Sequence, residues 1–229
     1  MTDVTAGVPV AAAAPEVRTQ FMGRVYGHLV GGIAAFVAAQ YVLFTTGLAA
    51  AIFEVVVATN WLLILGGFMV VSWLATHLAR QARTTAAAYG AYGVLVLANA
   101  LLFAAPLYQA NLFAPGAIST AAWLSVGAFV GLSAVALVTS KDFSFLRGVL
   151  LWGGVMALVA IVGGVLFGVA LGTWFSVAMI AFAGAAILYD TQKVYRRFPP
   201  QAVVPAAMHL FSSLALLFWY VLRLVMQRR

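Results

Sequence analysis

Seven continuous apolar stretches leave this chain few places to fold. They cover 22–44, 60–78, 86–107, 117–138, 147–167, 173–189 and 205–225, each close to the ~20 residues that carry a helix across the hydrocarbon of a bilayer. The apolar residues run on without alternating, which excludes a porin-like barrel. A water-soluble fold is excluded too. Only 7% of the 229 residues are charged and 65% are hydrophobic, with a mean hydropathy of +1.08. Soluble domains carry about 25% charged residues. The expected fold is therefore an all-α integral membrane bundle of seven helices, 21–229 forming one transmembrane domain. Residues 1–20 read as a disordered cytoplasmic lead-in, because no basic stretch precedes an apolar core as in a secretory signal.

The punctuation of the chain agrees with this division. All seven prolines are expected in the tail, in loops or at helix ends, Pro106 among them, where they break no hydrogen-bond ladder. Basic residues cluster in alternate loops, with His77, Arg80 and Arg83, then Lys141 and Arg147, then Lys193, Arg196 and Arg197. Glu54 is the one charge in the loops between. Basic loops stay cytoplasmic, which places the N-terminus inside. Seven crossings then put Arg223, Arg228 and Arg229 outside, against that rule; the alternative is a last stretch that re-enters without crossing. The net charge of +7 speaks for anionic headgroups rather than nucleic acid. With no cysteine, thiol catalysis and disulfides are out. Gly23/Gly27/Gly31, Gly127/Gly131 and Gly164/Gly168 repeat every fourth residue, the spacing that lets helix backbones approach closely in lipid.

Few ionisable residues fall in the stretches. Asp190 ends the sixth, where a carboxylate opposes the helix dipole and follows Ala183 and Ala186 on one face. Intramembrane acids usually face the bundle interior and mark ion or proton paths; the plainer alternative is an interfacial residue paired with Lys193. His209 and Ser213 share a face of the last stretch, with Ser212 adjacent, and a short connection makes the last two helices neighbours. His28 and His77 read as interfacial. A Ser133–His209 nucleophilic dyad is a poor match, because no oxyanion-hole donors are evident. No metalloprotease, P-loop or dinucleotide-binding pattern occurs, so no enzyme activity and no cofactor are expected.

Three runs together resemble the Bax-inhibitor family, also called the transmembrane Bax inhibitor motif family. They are Arg24-Val25-Tyr26, Lys141-Asp142-Phe143-Ser144-Phe145-Leu146 and Leu188-Tyr189-Asp190-Thr191-Gln192. The stretch from Ala206 through His209 to Arg223 is similar to that family's last helix. The resemblance implies a seven-helix bundle with the last helix central. It also implies a pH-sensitive calcium or proton leak in ion homeostasis, as in bacterial relatives, and hence a bacterial inner membrane. In those relatives two aspartates of the last two helices share a proton at a cytoplasmic-side gate latched by an arginine. Asp190 matches the first aspartate, Ser213 stands where the second is expected, and Arg80 is nearest the latch position, with Arg83 competing. A lone carboxylate lacks the repulsion that makes two acids share a proton. Its ionisation then depends on burial and on contacts with Arg80 or protonated His209. Asp190 with a serine is also a weak calcium site. The alternative function is a non-conducting regulator that binds other membrane proteins, such as a quality-control protease.

Overall fold

The computed structural model describes residues 9–82, 84–139 and 141–228. Among these, the regular elements are a 3-10 turn at Val10–Ala12 and eight α-helices. In chain order they are α1 (Pro15–Thr45), α2 (Leu48–Ala58), α3 (Trp61–Gln81), α4 (Thr85–Phe113), α5 (Ala117–Val138), α6 (Leu146–Phe167), α7 (Thr173–Arg197) and α8 (Val203–Gln227). All but α2 are long and apolar enough to cross a membrane. α2, which run lengths alone do not anticipate, is about 16 Å long at 1.5 Å per residue, half of a ~30 Å hydrocarbon core.

Local chemistry sets the helix ends. The Asn60 side chain accepts from the Leu62 N–H at 2.9 Å and opens α3; Thr84 does the same for α4 through the Ala87 N–H at 3.2 Å. Each satisfies a donor that the first helical turn leaves orphaned. Gly168 closes α6 in the left-handed region, at φ +67°, where a side chain would be strained.

Three expectations are corrected. Pro106 lies inside α4 rather than at its end. The ring removes one ladder bond, which a membrane helix tolerates when neighbouring helices cover the freed backbone. Part of 1–20 is ordered, since α1 begins at Pro15 and the buried Val10 donates its N–H to the Phe198 carbonyl at 2.9 Å. Residues 1–8 lie outside the described residues. The glycine ladders do not pack within the bundle. A Cβ on Gly23, Gly27, Gly31, Gly127 or Gly131 would meet nothing within 4 Å, whereas Gly164 abuts the turn after its own helix. The tightest interhelical glycine contact is at Gly32, against whose backbone the Tyr92 ring and hydroxyl are pressed; Gly153 against Phe182 and Gly184 against Leu132 are looser ones.

α8 is the centre of the bundle, packing against α1, α3, α4, α5 and α7. Its buried residues include Met208, Leu210, Leu217 and Leu222. α6 stands at the periphery and buries no residue at all. Polar side chains tie helices together where lipid supplies no hydrophobic drive. Gln40 of α1, for instance, donates to the Ala100 carbonyl of α4 at 2.7 Å. α8 is also unbroken over 25 residues, about 37 Å, long enough to cross rather than re-enter.

Candidate functional site

Pro199 and Pro200 stop α7, and the chain turns straight into α8. This brings two helix ends side by side, with Asp190 and His209 each about 10 Å in from its own end. His209 and Ser213, four residues apart, present one face of α8 to α7. The Ser213 hydroxyl donates to Asp190 Oδ2 at 2.6 Å. On the other side of the carboxylate, His209 Nδ1 stands 3.9 Å from Oδ1. His209 Nε2 in turn lies 3.2 Å from Nη2 of Arg80, at the end of α3.

The four expected residues thus form one polar row, Arg80–His209–Asp190–Ser213, across α3, α8 and α7. The row runs inward from solvent. Arg80 is exposed, the side chains of His209 and Asp190 are 17% and 16% exposed, and Ser213 is buried. A guanidinium has donors only, so the Arg80 contact requires His209 Nε2 to accept. His209 is then neutral, with its proton on Nδ1 facing Asp190. Arg80 reaches Asp190 through this imidazole and makes no ion pair with it among the described residues. Arg83, the competing arginine, lies outside the described residues.

The plainer alternatives fare differently. Lys193 forms no ion pair with Asp190 among the described residues; its ammonium lies 5.8 Å from the Tyr189 ring centroid. Ser212 bonds back to the Met208 carbonyl of its own helix at 2.9 Å. Ser133 faces Thr191 at 3.3 Å, so no Ser133–His209 dyad is assembled. His28 bonds the Arg24 carbonyl and Tyr89, while the exposed His77 stacks on Trp73.

Gln192, two residues past Asp190, does work that residue spacing does not reveal. Its Oε1 accepts the Phe143 N–H at 2.7 Å and its Nε2 donates to the Lys141 carbonyl at 2.8 Å. The loop between α5 and α6 is therefore clamped to α7, and two of the runs singled out in the sequence meet in space. A polar pair, Thr191-Gln192, beside an acid in an apolar helix was the available signal. In the same loop the Ser144 hydroxyl and then its N–H hold the Asp142 carboxyl below the usual carboxylate range, helped by Arg196 and Arg197. Arg196 Nη1 stands 3.8 Å from Asp142 Oδ1.

A family profile described as "Inhibitor of apoptosis-promoting Bax1" matches residues 18–229. The chain belongs to this family. It is accordingly a Bax inhibitor family integral membrane protein, and the match spans the polar row, the clamped loop and all seven long helices. No curated protein sequence matches the chain.

Proposed function

We propose that this Bax inhibitor family protein is a pH-regulated leak for calcium or protons, closed by the Arg80–His209–Asp190–Ser213 row. The observation that carries the proposal is the Ser213–Asp190 bond at 2.6 Å, which joins the two helices on either side of the connection 198–202. Intramembrane acids mark ion paths, and this one, largely shielded from solvent, has His209 at 3.9 Å and the charge of Lys193 one turn along its own helix. Protonating His209 would give Nε2 a hydrogen, break the Arg80 contact and turn the row into an imidazolium–carboxylate pair. Protonating Asp190 would remove the charge that the row is arranged around. Either event changes the contacts that hold three helices at one level, which is what a proton-operated gate requires.

Calcium is cargo in this proposal. Two carboxylate oxygens and one hydroxyl fall well short of the six to eight oxygens that calcium takes. Asp190 would offer it a weak, passing contact. The basic loops at the same end of the bundle favour a cytoplasmic placement of the gate, and the family resemblance is what supports a bacterial inner membrane.

The test is flux of calcium and of protons through purified protein in liposomes across a pH range. Asp190→Asn keeps the shape of the side chain and cannot ionise, so the flux should lose most of its pH dependence. An unaltered pH profile would end the gate proposal. Flux equal to that of empty liposomes for the unmodified protein would replace the leak with the regulator.

A further inference from the structure

A cavity of about 950 Å³ lies between α2, α3, α4, α6 and α8, away from the polar row. Leu65, Phe68, Phe103 and Val165 are among its walls, and α6, which buries nothing, closes it on the outside. Its two ends differ. The inner end is marked by Ser212, and the outer end by Arg223 and Gln227, in the last turns of α8. Ser212 and Arg223 are eleven residues apart on one straight helix, about 16 Å at 1.5 Å per residue. That is the depth of one leaflet of a ~30 Å hydrocarbon core.

Among the described residues, Arg223 is the only cation lining this cavity. Its Nη2 donates to the Leu171 carbonyl at 2.8 Å, and among the described residues no carboxylate pairs with it. A guanidinium has five N–H donors, suited to bidentate contact with phosphate. A positive charge at headgroup level without a counter-ion, above an apolar slot one leaflet deep, is complementary to an anionic amphiphile. Deeper in, the Ser72 hydroxyl lines the slot and is buried with no hydrogen-bond partner.

We infer that this cavity is a binding site for an anionic phospholipid, its phosphate held by Arg223 and an acyl chain lying between α3 and α6. The inference is independent of the gate. It also gives Arg223 a function on the face where basic residues are least expected: its charge is neutralised by the lipid it holds.

Two tryptophans, Trp61 and Trp219, line the cavity and stack at 5.6 Å, which supplies a local probe. The other four, Trp73, Trp123, Trp152 and Trp174, are exposed and can be replaced by phenylalanine in the full chain. The protein is then reconstituted in phosphatidylcholine vesicles containing either bromine-labelled phosphatidylglycerol or bromine-labelled phosphatidylcholine. The anionic lipid should quench with about fivefold higher apparent affinity, the preference expected from one basic side chain at the headgroup level. Arg223→Gln should abolish the preference, Arg223→Lys should retain most of it, and Arg228→Gln, a surface cation on the same face, should leave it unchanged. Equal quenching by both lipids in the unmodified protein would overturn the inference. So would equal losses in Arg223→Gln and Arg228→Gln, which would reduce the effect to general surface charge. Loss of the preference on adding inorganic phosphate would assign Arg223 to a soluble anion and overturn the lipid as occupant.

Discussion

Ser213→Ala removes one hydroxyl and, with it, the one direct hydrogen bond from α8 to Asp190. At 2.6 Å the bond is in the short range of charge-assisted contacts. Hydrogen bonds to charged groups contribute about 1.5–3 kcal/mol, and interhelical bonds in membranes fall toward the weak end, because loosened helices find other partners. About 1.5 kcal/mol is therefore the expected loss, roughly 13-fold in an equilibrium between joined and separated α7 and α8. If that separation opens the gate, calcium flux into dye-loaded liposomes at neutral pH should rise about tenfold. Ser212→Ala is the matched control, since its hydroxyl bonds only within α8 and its removal should leave the flux as it was. Thermal unfolding of both variants, followed in parallel, separates a loosened gate from a loosened bundle. Equal flux in Ser213→Ala and Ser212→Ala, with Ser213→Ala the less stable, would refute the gate and leave the bond a structural tie.

Gln192→Ala deletes both clamps on the loop between α5 and α6, a loss of about 2 kcal/mol at ~1 kcal/mol each. Amide hydrogen exchange at Phe143 should accelerate by more than tenfold. Gly32→Ala drives a Cβ into the Tyr92 ring and hydroxyl and should cost about 1–3 kcal/mol of stability as an overpacked contact; Gly27→Ala, which meets nothing, should be close to neutral in the same melting experiment. Asp142 has a lowered carboxyl pKa in the folded loop, chiefly through Ser144. Its contribution to loop order is thus present above the unfolded value of about 4 and lost as pH falls through the lowered one. Exchange at Ser144 should be insensitive to pH-linked loosening between pH 5 and 8 and accelerate only in acid, and Asp142→Asn should remove that acid limb.

The fold class was legible in the sequence because a bilayer imposes a severe constraint. Backbone polar groups in hydrocarbon must be satisfied within their own segment, so a continuous apolar run of about 20 residues has one stable conformation, and charge and proline mark most of the limits. The run lengths located all seven long helices and missed only α2, which is too short to span. Proline chemistry misled at Pro106, since the rule that places proline at helix ends is weaker where neighbouring helices cover the freed carbonyl. Spacing failed for the glycines as well. Four-residue periodicity says that small residues share a face, but which face meets a neighbour depends on helix rotation; the ladders on α1 and α5 point outward, and Gly32 makes the tightest contact.

The candidate site divides in the same way. Asp190 stood out by itself, because an acid in an apolar helix is costly wherever it points, and helical periodicity put His209 and Ser213 on one face. Only the tertiary structure decided that Ser213 faces Asp190, that His209 stands between the acid and Arg80, and that Gln192 holds a loop from a different helix pair. Those contacts join residues 23 to 129 positions apart. They depend on how α3, α7 and α8 rotate and rise against one another, and side-chain packing, to which no local pattern in the chain is sensitive, sets both.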